Sequence, residues 1–313
     1  MCIRDRLGIE REIRMTLLIG SIELGLIYGI LALGVYVTFR ILNIPDLTVE
    51  GSFVLGMATT AVLTAGGNPI LGLVAAVCVG ALAGTVTGLL QTKLMINHIL
   101  SGIIVMTGLY TVNLFIMGGK ANMSILGNDT IFTMAGSKTL VALVLAISTA
   151  ATVGTFFRTR VGLTIRGTGD NEEMVRAASI DADRTKCLAL AIGNGLVALS
   201  GGLIAQYQLF SDVGSGAGIV VIGLASVIIG EVLLGRRGVA YGLFTAVGGS
   251  IIYRVIIAFA LKVDLFPSYS LKLISAIVVM IALSGPYVKK VLREKKSVRK
   301  RRSMVKHIKG YVR

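Results

Sequence analysis

The sequence predicts an all-α, polytopic integral membrane protein with about nine transmembrane helices and a helix in its largest polar loop. Three observations predict it. Hydrophobic residues make up 54% of the chain against 15% charged, and the mean hydropathy is +0.83, far from soluble averages. Apolar windows long enough to cross the hydrocarbon layer recur from Leu17 to Ser284, with few charges inside them. The 39 glycines often stand four apart, as at Gly80, Gly84 and Gly88, a spacing that suits helices packed closely without a hydrophobic driving force.

Residues 1–14 are charged and share nothing with the apolar pattern after them, so they read as a non-native or disordered segment. Met1-Cys2-Ile3-Arg4-Asp5-Arg6 resembles a translated sequencing adapter, and Met15, followed by an apolar run, reads as the start. No small-residue cleavage pattern supports a signal peptide. The apolar body covers 15–288 and a basic tail 289–313. Spans are expected near 17–39, 47–65, 70–90, 99–117, 139–157, 188–210, 218–234, 239–261 and 270–284. The positive-inside rule then puts Arg40, the turn 91–98, the loop 158–187, Arg236, Arg237 and the tail in the cytoplasm. The connections 118–138 and 262–269 fall outside, as does the N-terminus, where only a non-native 1–14 segment fits the rule.

The second span opens irregularly, because Asn43, Pro45, Asp46, Glu50 and Gly51 interrupt it. Such a break persists at membrane depth only where protein buries it or it lines a cavity. Asn43, Asp46, Thr48, Glu50 and Ser52 are therefore candidates to line or gate a solute path. Asp46 reads equally well as a cap for the following helix. Glu23 and Arg254 each fall roughly 10 Å below the outer surface, which makes them a candidate intramembrane pair. Glu231 is the weaker partner for Arg254, being near the cytoplasmic end of its span, and Arg254 could instead snorkel to the headgroups.

Catalytic chemistry is nearly absent from the pattern. There is no G-x-x-x-x-G-K-[ST] to cradle a nucleotide, and Gly214-Ser215-Gly216-Ala217-Gly218 reads as a flexible extracellular turn. Cys2, Cys78 and Cys187 lack disulfide or zinc spacing, and His98 and His307 stand far apart, so no metal site is expected. The excess of 31 basic over 16 acidic residues sits in loops and tail, which reads as topology rather than nucleic-acid binding. The run from Lys289 to Arg302 suits anionic lipid headgroups.

The loop 158–187 carries six Arg and Lys residues between two long apolar runs. Asp170 is an N-cap candidate, Asn171, Glu172 and Glu173 follow, and good helix formers continue to Ala178, which predicts a short helix. Met174, Ala177, Ala178 and Asp181 fall at helical spacing on one small, moderately apolar face, with Glu172, Glu173, Arg176 and Asp181 as its charged surround. A soluble partner could take that face in a groove, or the helix could rest on the membrane.

Arg158-Thr159-Arg160-Val161-Gly162-Leu163, Arg166-Gly167, Asp170-Asn171-Glu172 and Ala177-Ala178-Ser179-Ile180 resemble the cytoplasmic loop of ABC importer permeases of the branched-chain amino-acid class. The stretches from Arg40 to Ser52 and from Ile222 to Glu231 are similar to that class as well, in wording nearest its tryptophan/tyrosine or uncharacterised-substrate subgroup. One departure is Ser179, where the family usually has glycine. The resemblance implies a plasma-membrane permease with a cytoplasmic C-terminus, not itself an enzyme. Its expected partners are a second permease copy, cytoplasmic ATPase subunits that bind the ATP and Mg, and an extracytoplasmic solute-binding protein; no cofactor is expected in this chain. The rivals are a secondary transporter, which would need matching broken helices in two halves, and a membrane scaffold that recruits a cytoplasmic protein.

Overall fold

The computed structural model describes residues 3–235 and 238–262, together with positions 273, 276, 277, 279, 280 and 284. Helix α1 (Ile3–Val35) runs into a π-helical turn (Tyr36–Ile41), followed by α2 (Thr48–Ala65), α3 (Pro69–Thr92) and α4 (His98–Ile116). Strand β1 (Asn122–Ser124), α5 (Ile131–Met134) and α6 (Lys138–Phe156) lead to two short helices, α7 (Arg160–Asp170) and α8 (Glu172–Ala177). Then come α9 (Ala182–Gln208), β2 (Phe210–Asp212), a 3-10 turn (Val213–Gly216), α10 (Ile219–Leu234) and α11 (Val239–Lys262). Eight helical segments among the described residues are long and apolar enough to cross a membrane. The expected ninth span at 270–284, Arg236, Arg237 and the tail 289–313 lie outside the described residues, apart from isolated positions in that span.

Helix α9 is the axis of the bundle and packs on α3, α2 and α1. Its contact with α3 uses the glycine stripe as its spacing predicts. A methyl group on Gly80 would lie 2.6 Å from the Asn194 carbonyl oxygen, one on Gly84 would strike the Leu190 carbonyl, and one on Gly88 would lie 2.7 Å from Cys187 Cα. Without side chains at those three positions, backbone meets backbone and dispersion contacts replace the missing hydrophobic force.

Arg40, Lys93, α7, α8 and Glu231 gather at one end of the bundle. The opposite end carries the Gly66–Asn68 turn, the loop 118–137 and a two-stranded antiparallel ribbon in which Met123 faces Ser211. Among the described residues, Arg40, Lys93 and the 158–187 loop thus share one end, as the charge pattern divides them.

The expected break in the second span is present and buried. Leu42 N–H donates to Val37 O and Ile44 N–H to Thr38 O, both at 3.0 Å, so the departing backbone keeps partners. Asn43 takes a left-handed conformation at φ 58, an arrangement that asparagine tolerates better than most residues.

The glycine-rich stretch is not a flexible outer turn. Helix α9 ends near the outer turn, where Gln206 reaches the Pro69 carbonyl and Thr64, and Leu209 turns the chain back at φ 64. Gly218 N–H then meets Glu50 Oε1 at 2.9 Å. From Thr64 to Glu50, α2 descends roughly 20 Å at about 1.5 Å per residue, so residues 209–218 re-enter the bundle and α10 starts at depth. Gly216 is buried, and a methyl group there would lie 2.5 Å from the Glu50 carbonyl oxygen. Glycine serves here for close approach rather than for mobility.

Candidate functional site

At the basic end, α8 is built from its cap outward. Asn171, not Asp170, is the N-cap, its Oδ1 accepting from Met174 N–H at 3.0 Å, while Asp170 closes α7 and borders a cavity with Arg40 and Arg166. The helix stops after Ala177. Ser179 adopts φ 61 and Ile180 N–H returns to Val175 O at 3.2 Å, a Schellman-type end in the position that favours glycine. Ala178, the C-cap, keeps the helical bond to Met174 O at 3.1 Å, whereas Asp181 lies beyond the left-handed residue and does not continue the α8 face. Asp181 instead caps α9, its Oδ1 accepting from Asp183 N–H and Arg184 N–H at 3.1 Å each. The spacing argument assumed an unbroken helix, and the left-handed residue ends it.

Val175 is the buried anchor of α8 at 4% exposure, whereas Glu173, Met174 and Ala177 face outward. Glu172 ties the helix to α9. Its Oε2 takes Lys186 Nζ at 2.6 Å, its Oε1 takes Arg176 at 2.8 Å, and Arg176 also bonds Asp183. The Lys186 hydrogen bond holds the Glu172 carboxyl below its ordinary value. Behind α8, Gly169 at the end of α7 abuts the Ile41 carbonyl at the base of α1. A push on the outward face thus meets α9 through ion pairs and α1 through backbone contact.

The broken segment holds a second polar set. Asp46 is 5% exposed, accepts from Thr48 N–H at 2.9 Å through Oδ1 and from Asn194 Nδ2 at 2.6 Å through Oδ2. One residue before the N-cap Leu47, it satisfies the first N–H of α2 and fastens the helix to α9 with the same carboxylate. Thr48 Oγ1 lies 2.8 Å from Thr87 Oγ1 on α3, so the start of α2 is held from two helices. Ser52 is enclosed with its hydroxyl oxygen unpartnered, Glu50 borders a cavity, and Asn43 is exposed. The five candidates do not share one surface. Asn194 and Thr87 were not singled out in the sequence, although Asn194 is a polar residue inside an apolar run, which is a readable signal.

The expected Glu23–Arg254 pair is not formed. The Glu23 carboxylate accepts from Tyr207 at 2.8 Å and from Thr139, on α9 and α6. Arg254 lies 3.6 Å over the Tyr28 ring, with Nε buried and lacking a hydrogen-bond partner among the described residues. Glu23 and Tyr28 lie on α1 about 140° apart around the axis, so two residues of similar depth face different neighbours. Arg40 pairs with Glu231 instead, at 2.8 and 2.9 Å in a two-pronged geometry.

No group of three or more metal-ligating side chains occurs among the described residues. A multi-pass helical bundle with polar clamps at depth and a braced, outward-facing helix at its basic end has the build of a transport protein. The chain belongs to the family of permease components of branched-chain amino acid transport systems, which it matches over residues 17–283. It is 39% identical over 271 residues to the tyrosine transport system permease protein of Clostridioides difficile (strain R20291), covering 86% of this chain and 91% of that one. It is also 33% identical over 277 residues to an uncharacterized protein of Rickettsia prowazekii (strain Madrid E), covering 87% of this chain and 98% of the relative. No solved structure matches. The family is one of permeases, not of catalysts.

Proposed function

We propose that this chain is the membrane-spanning subunit of an ATP-binding-cassette importer, with α8 as the element that receives the ATPase. The observation that carries the reading is the braced outward face of Met174 and Ala177, with Glu172 and Lys186 fixing α8 to the axial helix α9. The chain has no P-loop, so ATP and Mg belong to separate cytoplasmic subunits. Closure of those subunits would move α8 as a rigid piece and be transmitted to α9 and α1. On this reading the protein resides in the bacterial plasma membrane with loop 158–187 and the C-terminus cytoplasmic. It pairs with a second permease copy and receives solute from an extracytoplasmic binding protein. The tyrosine in the name of the Clostridioides relative makes an aromatic amino acid the first solute to try.

The test is Ala177→Arg in vesicles holding the permease, its ATPase and its binding protein. A cation thrust into the docking groove should abolish solute-stimulated ATP hydrolysis and uptake together. Normal assembly and normal uptake by this variant overturn the assignment.

A further inference from the structure

Between α2, α4 and the re-entrant turn lies a cavity of about 340 Å³, bordered by Glu50, Met106, Thr107, Tyr110, Asn113 and the Val213–Ala217 segment. That volume suits a small solute rather than a peptide. Apart from the Tyr110 hydroxyl, which can donate or accept, the polar side chains of its wall offer acceptors. Glu50 uses Oε1 for Gly218 N–H, and Oε2 has no hydrogen-bond partner among the described residues. Asn113 is 1% exposed and donates Nδ2 to the Gly51 carbonyl at 3.3 Å, while its Oδ1 is buried without a partner. The Thr107 hydroxyl already donates to Ile103 O at 2.8 Å, which leaves its oxygen as an acceptor. Among the described residues, no Lys, Arg or His borders the cavity.

A carboxylate oxygen bordering this space and an amide oxygen enclosed in its wall, both short of a donor, are costly at membrane depth unless one arrives. A primary ammonium has three donors and no acceptor, and so complements this wall. We propose, on the permease reading above, that Glu50 and Asn113 form a subsite for the primary ammonium group of the solute in transit. Glu50 Oε2 is its ion-pair partner, Asn113 Oδ1 a second acceptor, and the apolar side of Met106 and Val213 receives the rest of the molecule. A solute with an anionic group alone is repelled at this point.

The test uses the full chain in detergent, with Cys2, Cys78 and Cys187 replaced by Ser and Thr107→Cys as reporter. Methanethiosulfonates carrying ethylammonium or ethylsulfonate are compared, each rate normalised to free cysteine. The cationic reagent should react about tenfold faster or more. Glu50→Gln, which keeps a carbonyl oxygen for Gly218 N–H, should bring the ratio near one, whereas Glu50→Asp, too short for that bond but charged, should keep the preference. Tyramine should slow the reaction and 3-(4-hydroxyphenyl)propionate should not. Equal rates for the two reagents, no reaction with either, protection by the propionate or by neither compound, or a preference kept by Gln and lost by Asp overturns the subsite. Failure of the permease reading appears separately, in the uptake of Ala177→Arg.

Discussion

Arg40 and Glu231, 191 positions apart in the chain, form a two-pronged ion pair at 2.8 and 2.9 Å where the π-helical end of α1 meets the end of α10. The planar guanidinium matches the carboxylate geometry in a way that a lysine would not. Arg40→Gln should lower thermal stability in detergent by about 2 kcal/mol. The exchange Arg40→Glu with Glu231→Arg should recover part of what each single change loses. An unchanged melting temperature for Arg40→Gln would show that the pair contributes nothing.

Ser179 sits where a left-handed backbone ends α8, and an L side chain there costs about 1 kcal/mol. Ser179→Gly should make the 171–181 segment more resistant to limited proteolysis, and Ser179→Val should make it less so. The opposite order would contradict the strained turn.

Glu172 is held as an anion mainly by Lys186 and also by Arg176, so its folded pKa lies below the ordinary 4.5. A depressed acidic pKa means the bond's contribution is complete above about pH 4.5 and is lost as pH falls through the lower folded value. A nitroxide on Ala178→Cys should therefore stay immobile from neutral pH to about 4.5 and loosen below it. With Glu172→Gln added it should be mobile throughout, and an immobile label in that variant would sink the clamp.

Gly84 and Gly108 make a matched pair. A methyl group on Gly84 strikes the Leu190 carbonyl, whereas one on Gly108 meets nothing within 4 Å. Gly84→Ala should reduce the yield of monodisperse protein, while Gly108→Ala should be neutral or stabilise α4 by up to about 1 kcal/mol. Equal tolerance at the two sites, read by size-exclusion chromatography, would refute the close α3–α9 contact.

Depth was legible in the sequence and azimuth was not. Apolar runs marked the eight spans among the described residues, the glycine spacing marked the α3 contact face, and the hold of Asp46 on the start of α2 was readable, although Leu47 takes the N-cap position. Glu23 and Arg254 were correctly placed at similar depth, but which neighbour each faces depends on helix rotation, and hydropathy carries no information about that. The same gap hid Arg40–Glu231, whose members were both legible as lying toward one end. Re-entry of residues 209–218 was invisible for another reason. A glycine cluster signals either freedom or close approach, and only the position of Glu50 decides between them.

The short outer ribbon has a mechanical consequence. Two strands of three residues do not hold together alone, yet this pair is fastened further by Ile125 N–H to Leu209 O and by Val213 N–H to Ala121 O, both at 3.0 Å. The 118–137 loop and the turn beside Glu50 therefore form one hydrogen-bonded piece. A load pressed on that loop from outside arrives at the Glu50 carboxylate through main-chain bonds and the Gly218 N–H, without any long helix having to tilt, so the exterior keeps a handle on a half-buried charge within the bundle.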